Sequence, residues 1–185
     1  LEPVKSISEI FINPNFDSAL EARFIESLKR LGGKGGIPHT KLVGEIIKGK
    51  SGYLLELGGQ RYWVEPQVDA VKADGVVWES RPDFVIWPAQ SKSARRPIAV
   101  FCDGWAYHQA ILREDARKRS ALVTSGKFWV WSVTHDDVKQ ALVGDTNTDL
   151  ESPLLKLARH DGSAPDHLKP DPGAFQSNAV AQLLN

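Results

Sequence analysis

Hydrophobic positions along the chain follow two different periods, and the switch between them predicts an α/β fold. The clearest helix begins at Ser18, where Glu21 three residues later completes a capping-box pattern. Leu20, Phe24, Leu28 and Leu31 then recur on one face until Gly32-Gly33 stops the repeat. Glu21 follows Leu20 by about 100° of helix rotation, which puts it at the edge of the apolar stripe, whereas Glu26 points away. After a glycine-rich connection over 32–36 the pattern becomes β-like. Residues 52–57 and 60–68, joined through Gly58-Gly59, read as a hairpin or two adjacent strands, with a loop over 69–80. Strands are expected over 83–87 and 98–103, a second helix over 107–125 ended by Gly126, a strand over 127–133, and a short helix over 135–142 capped by Thr134. Nearly every residue from 128 to 133 is apolar on both faces, which predicts a central strand covered on both sides. Tyr62, Trp63, Trp129 and Trp131 are assigned to the core.

At 185 residues and 42% hydrophobic content, one domain with peripheral elements is expected. The pattern divides it into an N-terminal arm over 1–15, an α/β core over 16–143 with a mixed sheet of about four to five strands flanked by helices, and an irregular C-terminal appendage over 144–185. The appendage holds one predicted helix over 152–160, a Pro/Gly/Asp-rich span over 161–173 and a small apolar segment over 180–184. No apolar run reaches the length of a membrane span, so no membrane partner is expected. The single cysteine, Cys102, excludes an internal disulfide and a Cys-cluster zinc site, which fits a cytoplasmic setting. With no methionine anywhere, the chain reads as a piece of a longer polypeptide.

Charge changes this picture only locally. The net charge is zero, so bulk electrostatics gives no support for nucleic-acid binding. Residues 90–120, however, carry Lys92, Arg95, Arg96, Arg113, Arg117, Lys118 and Arg119 against Asp103, Glu114 and Asp115, and this basic stretch flanks the most informative chemistry in the chain. Glu114 with Lys118, and Asp115 with Arg119, also have the spacing of ordinary i,i+4 pairs on a solvated helix.

That chemistry lies in two segments, Arg81-Pro82-Asp83-Phe84-Val85-Ile86-Trp87 and 98–108, the latter containing Phe101-Cys102-Asp103-Gly104-Trp105-Ala106-Tyr107-His108. If 83–87 and 98–103 pair antiparallel with Trp87 opposite Ala99, then Val85 meets Phe101 and Asp83 meets Asp103. The two carboxylates then share a face with Cβ atoms about 5 Å apart. Such proximity calls for a cation, a shared proton or a basic neighbour, and magnesium suits the oxygen donors. His108, five residues beyond Asp103, can return toward the strand end as a general acid or base. Trp105 and Tyr107 are candidates for stacking on nucleic acid. Taken singly, Asp83 reads as a post-proline turn residue and Asp103-Gly104 as a strand-ending turn rather than as catalytic groups.

The order of these elements, with Pro82-Asp83 followed by Phe101-Cys102-Asp103-Gly104-Trp105 and His108, resembles the PD-(D/E)XK nuclease superfamily and, within it, the Vsr-like endonucleases, over roughly residues 18–142. It also resembles a C-terminal region of large bacterial DEAD/DEAH-box helicases. The resemblance implies a restriction-endonuclease-like sheet, with Asp83 as main metal ligand, the Cys102 backbone carbonyl as a second, and Asp103 and His108 as metal-shell or proton-transfer groups. Glu21 takes the place of the helix acid. Two departures stand out: Phe101 and Asp103 occupy the positions of the superfamily's usual acid and lysine. A migrated cation is sought in Lys118, Arg113 or Arg117 on the second helix.

The expected function is therefore that of a magnesium- or manganese-dependent DNA endonuclease domain within a larger helicase or DNA repair or defence protein. Asp83, Asp103, His108 and Glu21 would be catalytic, Asp83, Cys102 and Asp103 metal-binding, and Arg95, Arg96, Arg113, Arg117, Lys118 and Trp105 DNA-binding. The alternative is an inactive nuclease fold that binds DNA or docks a helicase motor.

Overall fold

A computed structural model of the chain describes residues 18–47, 49–90, 95–103, 112–146 and 178–185. The elements are helix α1 (Ala19–Leu31), strands β1 (Thr40–Ile47), β2 (Lys50–Leu57), β3 (Gln60–Pro66), β4 (Phe84–Pro88) and β5 (Ile98–Asp103), helix α2 (Leu112–Thr124), strand β6 (Trp129–Thr134), and helices α3 (His135–Val143) and α4 (Ala179–Leu184). The predicted arm over 1–15 and the predicted helix over 152–160 lie outside the described residues.

The six strands form one mixed sheet in sequential order. Antiparallel hairpin-type pairing runs from β1 to β5, and β5 then pairs parallel with β6 through the α2 crossover. Gly58 and Gly59, with φ of 55° and 78°, make the two-residue turn expected between β2 and β3, a geometry open to glycine at both positions. The sixth strand, one more than expected, is β1. Its text, TKLVGEII, is broken by Gly44, and as an edge strand it leaves Val43 and Ile46 45% and 57% exposed, so it lacks a clean period-2 signal.

Helices cover the sheet unequally. Alternate side chains of β2 to β6 (Leu55, Val64, Phe84, Ile86, Val100, Cys102 and Val133 among them) pack under α1, α3 and α4. The opposite face, with Val85, Ala99 and Phe101, is covered by Ala121 and Leu122 of α2 together with Ala70, Val76 and Phe128. Within the first layer Phe24 and Phe84 have ring centroids 5.3 Å apart.

Two expectations require correction. The Trp-rich strand is not central: β6 is the edge strand beyond β5, and Trp129, assigned to the core, is 59% exposed. Tyr62, Trp63 and Trp131 are only partly buried. Apolar residues on both faces therefore do not mark a central strand here: in β6 only Val133 is buried, and Trp129 and Ser132 are exposed.

The apolar segment expected in a peripheral appendage is core as well. In α4, Val180 and Ala181 are fully buried and Leu184 is 2% exposed, all against the α1 layer. A buried polar junction fixes its entry. The Asn178 amide donates to the Asp137 carbonyl at 2.7 Å, while its oxygen accepts from the N–H groups of Val180 and Ala181 at 2.9 and 3.1 Å. Thr134 caps α3 by accepting the Asp137 N–H, and the Asp137 carboxylate accepts from Ala179 N–H at 2.9 Å. The indole of Trp131 donates to the Ala179 carbonyl.

Replacing Asn178 with alanine removes the cap of α4 and the amide bond to the Asp137 carbonyl. The expected loss in urea denaturation is about 2–3 kcal/mol. A loss below about 0.5 kcal/mol would show that α4 is held by apolar packing alone.

Candidate functional site

The acids cluster where β4 and β5 part. Pairing between these strands runs Ile86↔Ile98, Val85↔Ala99 and Phe84↔Val100. This register is displaced by two residues from the expected one, so Asp83 is not opposite Asp103. Past Phe84 the ladder stops, since Pro82 has no N–H to donate, and the Cys102 N–H is accepted instead by the Asp83 carboxylate, Oδ2 at 2.7 Å. The Asp83 carbonyl in turn accepts the N–H of Gln67 at 2.9 Å, which ties the end of β3 to the same place.

Gln67 is the one described non-glycine residue with positive φ, at 51°. Immediately after β3, this left-handed turn directs its side chain to α1, where Nε2 donates to Glu21 Oε2 at 2.8 Å. The other Glu21 oxygen accepts from the Ser18 hydroxyl at 3.0 Å, and Ser18 Oγ caps the Glu21 N–H. Glu21 is thereby held in the first turn of α1 with 2% exposure. Placement at the edge of the apolar stripe gave the reason to single it out; Gln67 carried no sequence signal, because its role depends on a backbone conformation at the end of β3.

Cys102 lies between these acids, buried on the α1 face. Burial first, then the negative charges of Asp83, Glu21 and Asp103, push its thiol well above the ordinary thiol range. The thiol is therefore neutral at physiological pH and is neither a nucleophile nor a thiolate ligand.

Asp103 takes a different part from the one expected. Successive strand residues face opposite sides, so Asp103 lies on the α2 side with Phe101, across the sheet from the layer containing Glu21 and Cys102. Both its oxygens are engaged by Arg119, one at 3.0 Å from Nη1 and the other closer to Nη2. Arg119 also donates to Ser132 Oγ at 2.9 Å and lies 4.8 Å from the centroid of the Phe101 ring. The expected Asp115–Arg119 helix pair gives way to this cross-element pair, because a bidentate carboxylate fixes both Nη nitrogens of the guanidinium. Arg119 thus joins the surroundings of the site, whereas Lys118 pairs with Glu114 at 2.7 Å.

The basic stretch does not form one surface. Arg117 lies over the exposed Trp78 ring at 5.8 Å. Arg95 and Arg96 precede the other end of β5, which runs about 17 Å from Ile98 to Asp103 at 3.3–3.4 Å per residue. There Arg95 donates to the Tyr62 hydroxyl at 3.1 Å and Arg96 lies 5.3 Å from the Trp129 ring. His108, Trp105 and the side chain of Arg113 lie outside the described residues.

Among the described residues no group of three or more His, Cys, Asp or Glu side chains is arranged to hold a metal ion. Magnesium characteristically takes only one or two carboxylates and keeps several waters. The donor set at the strand end fits that lesser requirement. In a strand the N–H and C=O of one residue leave on the same edge, so the Cys102 carbonyl faces the Asp83 carboxylate, with Glu21 on the adjoining helix. Asp103, saturated by Arg119, is not in this donor set.

Comparison with protein-family models, curated proteins and solved structures finds no match to this chain. No helix among the described residues is long and apolar enough to cross a membrane.

Because the folded thiol of Cys102 has the higher pKa, the native state keeps a proton that the unfolded chain releases. Its contribution to stability is complete below the ordinary thiol pKa and declines as pH rises above it. Urea midpoints between pH 8 and 10 should fall more steeply in the wild type than in Cys102→Ala, and native Cys102 should resist iodoacetamide until the chain unfolds. Alkylation of the native protein as fast as the denatured one would contradict this burial.

Proposed function

We propose that this chain is a divalent-metal-dependent DNA endonuclease domain of the PD-(D/E)XK type. The observation that carries the proposal is the meeting of Asp83 and Glu21 at Cys102, where three strands and a helix end together. Buried or half-buried carboxylates held by backbone and amide donors at a strand end are poised for a hard cation.

In this reading Asp83 and the Cys102 carbonyl hold magnesium or manganese, and Glu21 orients its shell. When bound, the ion supplies Lewis-acid charge at the phosphodiester. The chain's own groups do the positioning. Cys102 N–H fixes one oxygen of Asp83, so its carboxylate plane is set before substrate arrives, and Gln67 does the same for Glu21. Asp103 fixes the guanidinium of Arg119 beside the strand end, the nearest described counterpart of the lysine that the superfamily carries at the position of Asp103. The proposal extends to DNA as substrate and to a helicase motor in the same parent polypeptide.

One observation favours a second reading, an inactive nuclease fold that binds DNA. Asp103 is locked in an ion pair, so the strand itself offers no free cation at the usual lysine position.

Incubation with supercoiled plasmid separates the two. Nicking is expected with magnesium or manganese and not with chelator. Gln67→Ala should lower the rate about 10- to 100-fold, as for an outer-shell partner, and Asp83→Ala should lower it further. Metal-dependent nicking that survives in Asp83→Ala would remove the site assignment. Salt-sensitive DNA retention without cleavage in either metal would establish the binding module.

A further inference from the structure

Among the described residues the sheet ends at β1, a strand of sequence TKLVGEII. One side of β1 pairs with β2 along its whole length, from Thr40↔Leu57 to Ile47↔Lys50. The other side is the sheet's boundary, where a strand directs a row of backbone donors and acceptors outward. Val43 and Ile46 are exposed apolar side chains on this strand. Lys41 and Glu45 stand two residues before and two residues after Val43, on the same face, and both are exposed. Lys41 meets Glu56 of β2 at 4.0 Å, an exposed contact of the kind that contributes little.

We infer that β1 pairs antiparallel with β1 of a second copy of this chain, joining two six-stranded sheets into one across a two-fold axis at Val43. The order of charges selects both the occupant and the register. Outward backbone groups come from alternate residues of a strand, so a strand pairs with its own copy about an axis through a residue. With the axis at Val43, Lys41 lies opposite Glu45 of the second copy, and symmetry repeats the pair. Opposite charges facing each other across strands stabilise the pairing, and like charges destabilise it. An axis at Lys41 or Glu45 sets like charges against each other, and an axis at Leu42 or Gly44 sets a charge against Val43. The Val43 axis alone matches both charges, and it brings the two exposed valines face to face. On the other face it places Ile46 opposite Thr40 and diagonal to Leu42, which covers the second exposed apolar side chain. A lysine on an edge ordinarily resists pairing with another strand; here the glutamate four residues on removes that resistance for a copy of the same strand.

The contact is small. About six backbone hydrogen bonds and a few side-chain pairs fall short of a permanent dimer interface, so the association is reversible and fills as protein concentration rises. The surface is also separate from the acid cluster, which gathers at the ends of β3, β4 and β5 and the first turn of α1. Association and nicking are therefore independent readouts.

The test is sedimentation velocity of the full chain over a wide concentration range. Wild type is expected as a monomer–dimer mixture whose dimer fraction rises with concentration. Lys41→Ala removes both symmetric charge pairs and should weaken dimerisation about 2- to 30-fold. Lys41→Glu should weaken it further, and combining Lys41→Glu with Glu45→Lys, which reverses the charge order on both strands, should restore it. Val43→Cys should give a disulfide-linked dimer on oxidation by copper phenanthroline, because the two Cβ atoms then lie within bonding reach. Glu45→Cys should not, and native Cys102 is buried. Lys41, Val43 and Glu45 are all exposed, and unchanged thermal midpoints guard against misfolding. A chain that is monomeric at every concentration, as when a segment of the same chain holds the edge, would overturn the inference. So would a dimer indifferent to Lys41→Glu, a double variant that stays dissociated, or cross-linking through Glu45→Cys in preference to Val43→Cys.

Discussion

Antiparallel pairing between β4 and β5 stops at Phe84↔Val100, and the backbone donor left at Cys102 sets the arrangement around it. An N–H buried at such a position without an acceptor costs about 1–3 kcal/mol. The Asp83 carboxylate removes that cost through a charge-assisted bond, which requires Asp83 to leave the strand path after Pro82. Its carbonyl is then available to Gln67 N–H, and β3 ends in a left-handed turn that delivers the Gln67 amide to Glu21. One ladder ending thus draws β3, β4, β5 and the first turn of α1 to a single point, and the placement of both carboxylates is a consequence of backbone satisfaction.

The same strand separates chemistry that is contiguous in sequence. Cys102 and Asp103 are neighbours, but the pleat puts the thiol under α1 and the carboxylate under α2. Asp103, partnered by Arg119 over Phe101, ties the crossover helix to β5, while Asp137 and Asn178 tie α4 to α3 on the other face. Each helical layer is fastened by an acid at the sheet end, one through an ion pair and one through neutral amide and backbone groups.

Local signals were legible and long-range ones were not. The α1 cap and stripe, the Gly58-Gly59 hairpin and the Thr134 cap of α3 depend on residues within a few positions of one another, and the structure forms them where the pattern places them. The β4–β5 register lies two residues from the expected one because a long connection, unlike a two-residue turn, leaves register to be settled by packing. Glu21 and Asp83 stood out as acids beside apolar positions; Gln67 and Arg119 did not, since the first depends on a turn and the second on a partner 16 positions away. Likewise, nothing local in Ala179–Leu184 announces that Asn178 will find Asp137, 41 residues earlier. The exposure of Trp129 follows from strand order, which hydrophobicity alone does not contain.

Zero net charge conceals an arrangement with opposite ends. Glu21 and Asp83 collect at one end of the sheet, with Asp103 neutralised nearby, and Arg95 and Arg96 stand at the other, where no described carboxylate lines the cleft they form with Trp129. A polyanion approaching the acid end meets repulsion unless a cation intervenes, because two carboxylates in a partly buried setting are weakly screened.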